Sequence, residues 1–216
     1  MARDGVDMAA ATTRALLGWG VVAGPFYLVF GLVQALTRSG FDLARHPLSA
    51  LLLGDLGWLQ LLNFLLTGLM TGAAAVGFAR ALPGRTGRPA GALLGLYALC
   101  LVLSGLFPPD PLRGYPPGAP ESVSSSGVVH LVCGGIGFLA LGAAALVVAR
   151  ELSTPSCSRV AGVVVIAGFL GGAALSGGGS GVALLWVAVL AGWAWLTAAS
   201  AAVYRTVPHP VVARRA

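Results

Sequence analysis

The residues best suited to chemistry are concentrated in one stretch, Phe41 to Asn63, and in a later loop and helix start. The stretch carries Asp42, Arg45, His46, Ser49, Asp55, Gln60 and Asn63. The later segment adds Asp110, Arg113, Tyr115 and His130. Because only 9% of all residues are charged, this collection of carboxylate, imidazole and guanidinium groups is a candidate functional site.

Acid–base catalysis on a lipid or isoprenoid is one chemistry that these residue types could perform. The enzyme hypothesis takes His130 as general base or metal ligand, with Asp110 as the residue that orients it. Asp42 and His46 are then a second acid and base, or further ligands. Imidazole and carboxylate would suit zinc, but no HxxxH, HExxH or CxxC spacing is present. We therefore assign no metal residue and identify no cofactor. A Ser–His–Asp triad is a weaker hypothesis, because the sequence has no GxSxG elbow.

Binding without catalysis is the leading hypothesis, and its ligand is a lipid or another amphipathic small molecule. The candidate binding residues are Arg45, Ser49, Asp55, Gln60, Asn63, Arg113 and Tyr115. The arginines among them could contact phosphate. A third hypothesis gives the same residues a structural role, fastening loops to the rest of the protein or lining a path for a small solute.

The elements that position these residues follow from the composition, which is 57% hydrophobic with a mean hydropathy of +0.88. Such values are typical of membrane proteins. Six apolar runs approach the length of about 20 residues that crosses a bilayer. They are Ala15–Thr37, Gly57–Ala79, Ala90–Phe107, Val128–Ala149, Arg159–Ser176 and Val182–Tyr204. Because backbone groups in hydrocarbon must be satisfied internally, we predict an all-α bundle of six transmembrane helices that forms a single domain, residues 1–216.

The arginines predict the orientation of this bundle. Lys is absent, and ten of the 13 basic residues fall on the side that carries both termini, so both termini should be cytoplasmic in the inner membrane of a bacterial cell. The candidate site then lies on the outer face. The arginines are scattered between apolar runs rather than gathered on one surface, so we expect membrane lipids as partners and no nucleic acid. Paired glycines in several spans favour helix packing within one bundle and leave a homo-oligomer open.

Two loops and one helix face should hold the candidate residues in place. In the first outer loop, Pro47 predicts the start of a short helix that ends near Leu53 with Gly54 as its cap. Gln60 and Asn63 begin a polar stripe along the second span that continues to Thr67 and Thr71. The proline-rich second outer loop, residues 108–127, should be a rigid lid over the outer end of the bundle.

The motifs RHPLSALLLGDLGWLQLLNF (Arg45–Phe64) and DPLRGYPPG (Asp110–Gly118), followed by His130 at the start of the next span, resemble one membrane family. It is the bacterial and archaeal family of six-span proteins known as domain of unknown function 998. The resemblance covers nearly the whole chain. It implies a multi-pass membrane domain and no particular activity.

Overall fold

The computed structural model describes residues 6–175 and 179–211, and its long elements are all helices. They are α1 Met8–Thr37, α2 Gly57–Ala81, α3 Gly84–Leu106, α4 Ser125–Val148, α5 Pro155–Ala174 and α6 Gly179–Thr206. Within these described ranges, 6 helices are long and apolar enough to cross a membrane. The predicted all-α fold with six spans is therefore confirmed.

Several helices extend beyond the apolar runs that predicted them. Helix α1 begins at Met8, where Asp7 caps it by accepting hydrogen bonds from the amides of Ala9 and Ala10 at 2.9 and 3.1 Å. Helix α3 begins at Gly84 rather than Ala90. Hydropathy marks the part of a helix that lies in hydrocarbon, whereas the backbone continues to coil through polar turns at either end. The predicted last residue of the fifth span, Ser176, lies outside the described residues.

The six helices form a closed ring in chain order. Each helix packs against the next one, and α6 packs against α1. The amide of Asp7 donates to the carbonyl of Pro210 at 3.1 Å, so these two residues lie at the same end of the ring. We call the other end, which carries residues 38–56 and 107–124, the loop end. Both stretches with candidate site residues therefore meet there.

Glycines set the distances between neighbouring helices. A Cβ at Gly91 of α3 would lie 2.8 Å from Ala79 Cβ of α2, and a Cβ at Gly168 of α5 would lie 3.1 Å from Ala188 Cβ of α6. Gly20 of α1 packs against Ser200 of α6 in the same way. These three glycines, each a member of a predicted pair, thus bring helices of one bundle into close contact, which is the role that the sequence favoured.

A short helix follows Pro47 in the first loop, with 3-10 rather than α geometry. It spans Leu48–Leu52, and the amide of Ala50 donates to the carbonyl of Pro47 at 2.9 Å. Leu48 and Leu51 are buried against α1 and α2, and Gly54 takes a left-handed φ of +78° after the helix ends. A segment of this length is not stable alone, so its packing on the bundle holds it.

Candidate functional site

A cavity of about 670 Å³ lies inside the ring of helices and opens at the loop end. All six helices and both loops contribute to its wall. Its body is apolar and rich in aromatic side chains, which are Tyr27, Phe64, Tyr97, Phe138, Phe169 and Trp193. Cavities that hold small molecules in proteins usually have about 300 to 1,000 Å³ and a mainly apolar lining, so this space has the size and character of a binding site.

Polar groups line the mouth of the cavity. They come from Ser49, Asp110, Glu121, Ser122 and His130. The carboxylate of Asp110 accepts hydrogen bonds from the amide and the hydroxyl of Ser124 at 3.1 and 2.6 Å. Ser124 is the N-cap of α4, where a negative charge is favoured by the helix dipole. The second loop is thereby fastened to the start of α4.

His130 lies one turn into α4, and its ring forms part of the cavity wall. Its Nδ1 lies 2.9 Å from the carbonyl of Ser104 and 3.0 Å from that of Phe107, at the end of α3. Because carbonyls only accept, Nδ1 carries the proton and donates it, which satisfies carbonyls that the end of a helix leaves free. In the neutral ring Nε2 is then an acceptor, and it makes no hydrogen bond with the described residues.

The sequence hypothesis paired His130 with Asp110, and the structure pairs each of them with another group. Asp110 bonds to Ser124, and His130 bonds to the end of α3. Both line the cavity together with Ser49. These three are the predicted site residues that the structure brings together around one space.

His46 belongs instead to a contact between the two loops. Its Nδ1 accepts from the amide of Asp42 at 2.9 Å, and its Nε2 lies 3.3 Å from the carbonyl of Arg113. The ring also packs against Phe41 and Tyr115, with centroids 5.3 Å away in each case. With both nitrogens engaged and 2% of its surface exposed, His46 holds the second loop on the first.

The charged neighbours of His46 lie on the surface of the same contact. Asp42 accepts from the amide of Ala44 at 2.8 Å through its side chain, and Arg45 donates to the carbonyl of Arg113 at 3.2 Å. Asp55 is exposed near the start of α2. None of these predicted residues, nor Tyr115, is part of the cavity wall.

Gln60 and Asn63 lie in a buried column of polar side chains between α1 and α2. Gln34 of α1 donates to Gln60 Oε1 at 2.7 Å, and Asn63 donates to the same oxygen at 3.2 Å and to the carbonyl of Tyr27 at 3.1 Å. Thr67 continues the column by donating to Asn63 Oδ1 at 3.3 Å. Both Gln60 and Asn63 are 0% exposed, and neither lines the cavity. Their contacts join two helices.

Sequence reasoning missed three residues that matter to this arrangement. Tyr27 and Tyr97 lie deep in apolar runs. Each carries a hydroxyl inside a predicted span, and this polar group was the signal that could have indicated a polar function there. Arg38 follows α1 directly and donates to the carbonyls of the loop that contains the short helix. Because it follows a span directly, the sequence suggested only that Arg38 helps to define the orientation of the protein in the membrane.

Clusters of potential metal ligands are absent from the part of the chain that the structure describes. No group of 3 or more His, Cys, Asp or Glu side chains is placed so that it could hold a metal ion. The acid–base form of the enzyme hypothesis requires no such cluster.

Comparison with known proteins identifies a family model that covers most of the chain. The model of a family described as "Protein of unknown function (DUF998)" matches residues 21–202, which include all the cavity-lining residues. No curated protein and no solved structure matches the chain.

Proposed function

The chain belongs to the DUF998 family of proteins of unknown function, and we propose that this multi-pass membrane protein binds a lipid or another amphipathic small molecule in the cavity at its loop end. We further propose that the loop end is the outer face and that both termini are cytoplasmic. The observation that carries the proposal is the distribution of groups along the cavity. Aromatic side chains line the body, and carboxylate, hydroxyl and imidazole groups line the mouth.

This distribution matches the structure of an amphipathic molecule. The apolar tail would bury its surface against rings such as Phe138 and Phe169, which stack with centroids 4.9 Å apart. Burial of apolar area contributes about 25 cal/mol per Å². The polar head would remain at the mouth, beside Asp110 and Ser49, where it can keep contact with water.

Native mass spectrometry tests the proposal directly. The protein is extracted from its membrane in lipid-containing nanodiscs, and the masses that remain bound after release are measured. We expect a bound amphipathic molecule. Gly134→Leu should reduce its occupancy, because Gly134 lines the cavity and a Cβ there would lie 3.8 Å from the ring of Phe169.

Gly95→Leu is the matched control. Gly95 lies outside the cavity wall, and a Cβ there meets nothing within 4 Å. The same change of residue type should therefore leave occupancy unchanged. The proposal fails if no such molecule is retained, or if the two variants lose it equally.

Acid–base catalysis on the bound molecule is a second candidate function. The observation that favours it is His130, whose Nδ1 is fixed by two carbonyls while Nε2 is left for a ligand. If the protein converts its ligand, the mass of the bound molecule should change with time, and His130→Asn should stop the change. If both the mass and the fragmentation spectrum of the bound molecule stay unchanged in the unmodified protein, catalysis is ruled out.

A further inference from the structure

Two tyrosine hydroxyls in the cavity have no hydrogen-bond partner among the described residues. Tyr27 of α1 and Tyr97 of α3 are only 5% and 4% exposed. Their rings lie on Trp193, with centroids 5.0 and 5.7 Å away. Both side chains line the cavity, and neither hydroxyl makes a hydrogen bond with the part of the chain that the structure describes. A buried hydroxyl normally finds a partner, because leaving it unpaired costs its full desolvation energy.

The partner of these hydroxyls has to come from the contents of the cavity. A phenol donates best to an oxygen acceptor, and the surrounding wall of aromatic rings offers none. A ligand with a carbonyl or hydroxyl oxygen at this depth would satisfy both donors. An ordinary hydrocarbon chain would leave them unpaired.

The charge of the cavity wall restricts the ligand further. No arginine lines the described cavity, and the chain has no lysine. The ionisable acids of the wall are Asp110 and Glu121, both at the mouth. Arg45 and Arg113, the basic residues nearest in sequence to the wall residues Pro47 and Leu112, are not themselves part of the wall. An anionic head group in the cavity would therefore meet two carboxylates and no arginine among the wall residues, which is unfavourable.

The other polar groups of the wall are uncharged or act as acceptors. His130 offers Nε2 in its neutral form, and Ser104 and Ser49 offer hydroxyls. These groups recognise hydroxyl and carbonyl functions rather than charges. The phosphate contact that the sequence suggested for Arg45 and Arg113 has no counterpart in the cavity wall.

We propose that the cavity selects an uncharged lipid that bears oxygen, and that Tyr27 and Tyr97 donate hydrogen bonds to that oxygen. This inference rests on the proposed function, since it names the class of ligand that the same cavity binds. It replaces a general amphipathic molecule by one with a neutral head and an acceptor oxygen at the depth of the tyrosine pair.

A matched pair of lipids tests the inference. The probes are 1-oleoylglycerol and its 3-phosphate, which share one acyl chain and differ in the charged group. Binding to the purified protein in phosphatidylcholine nanodiscs is measured by native mass spectrometry. Protection of Cys100 and Cys133, which line the cavity, from a membrane-permeant maleimide gives a second measure. We expect 1-oleoylglycerol to bind at least about tenfold more tightly than the phosphate.

Tyrosine variants test the hydrogen bonds. Tyr27→Phe and Tyr97→Phe should each weaken binding of 1-oleoylglycerol about fivefold, the usual effect of one lost hydrogen bond. Melting of the ligand-free protein should stay the same or rise, because an unpaired hydroxyl is removed. Tyr204→Phe is the control, since Tyr204 lies at the opposite end beneath Arg14.

The possible results separate this inference from the proposed function. Equal or tighter binding of the phosphate, or unchanged binding in both phenylalanine variants, would overturn the inference while the cavity still bound lipid. If neither probe binds and neither cysteine is protected, the inference fails; the proposed function fails as well only if the protein also retains no amphipathic molecule from its own membrane. The comparison of the two lipids uses the unmodified protein, so it does not depend on the folding of any variant.

Discussion

At the scale of single residues, Arg38 donates several side-chain hydrogen bonds at the loop end. Its guanidinium donates to the carbonyls of Leu51, Leu53 and Leu56 at 3.4, 3.3 and 3.0 Å. It also reaches Gln34 Oε1 and the hydroxyl of Tyr115, each at 3.3 Å. The planar fork of an arginine can serve several acceptors at once. One side chain thus ties α1, the first loop and the second loop together.

Arg38→Ala should destabilise the protein by about 2 kcal/mol, because it leaves several loop carbonyls without a donor. The measurement is thermal unfolding of the purified protein, and the expected fall in melting temperature is roughly 4 to 8 °C. Arg45→Ala is the control. Arg45 is exposed and donates to the carbonyl of Arg113, so its removal should change stability little. Equal effects of the two variants would contradict the role of Arg38.

At the scale of elements, the polar column couples α1 to α2 through Asn63. The side chain bonds to α1 at the carbonyl of Tyr27, to Gln60 and to Thr67. Thr71, further along the same stripe, bonds only to the carbonyl of Thr67 within its own helix at 2.8 Å. The two residues look alike in a sequence pattern and differ in what they connect.

Asn63→Leu should therefore destabilise the bundle by about 1 to 3 kcal/mol, since it leaves buried partners unsatisfied. Thr71→Val, which has nearly the same shape and loses only an intrahelical bond, should stay within about 0.6 kcal/mol of the unmodified protein. Unfolding in detergent measures both. If Thr71→Val lowered the stability more than Asn63→Leu, the polar column would not couple α1 to α2 as we describe.

Two glycines of α3 give a second prediction, which concerns the packing of α3 against α2. A Cβ on Gly91 would lie 2.8 Å from Ala79 Cβ and 2.9 Å from the carbonyl of Ala75, whereas a Cβ on Gly95 meets nothing within 4 Å. Gly91→Ala should cost about 1 to 3 kcal/mol as α2 and α3 are pushed apart. Gly95→Ala should be neutral or stabilising by up to about 1 kcal/mol, because alanine favours the helix. The pair differs by one helical turn, and similar melting temperatures would argue against close α2–α3 packing at Gly91.

At the scale of the whole molecule, the ring of helices fixes which segments share an end, and the arginines predict which end faces outward. Ser125 at the start of α4 and Ser156 near the start of α5 are both exposed, at opposite ends. In a variant without native cysteines, Ser125→Cys should react with an impermeant maleimide added to intact cells. Ser156→Cys should react only after the membrane is opened. The reverse pattern would place the cavity mouth in the cytoplasm.

Much of the fold could be read from composition, because a bilayer allows few solutions for a spanning backbone. Runs of apolar residues predicted all six helices, and Pro47 and Gly54 predicted the short helix between α1 and α2. The residues of the candidate site were harder to sort. The sequence grouped His46 with His130 by residue type, yet one fastens a loop and the other lines the cavity.

The sequence by itself therefore determined the six spanning helices and the concentration of polar residues in two connecting segments. Periodicity and hydropathy are local properties of the sequence. They predict helices because the backbone of an apolar run in a bilayer must form its hydrogen bonds internally. Only the tertiary structure decided that Tyr27, Tyr97, Trp193 and His130 surround one space, and that Gln60 and Asn63 do not reach it. These residues come from helices far apart in the chain, and the rotation of each helix within the ring, set by glycine contacts and side-chain packing, determines which of its faces meets the cavity.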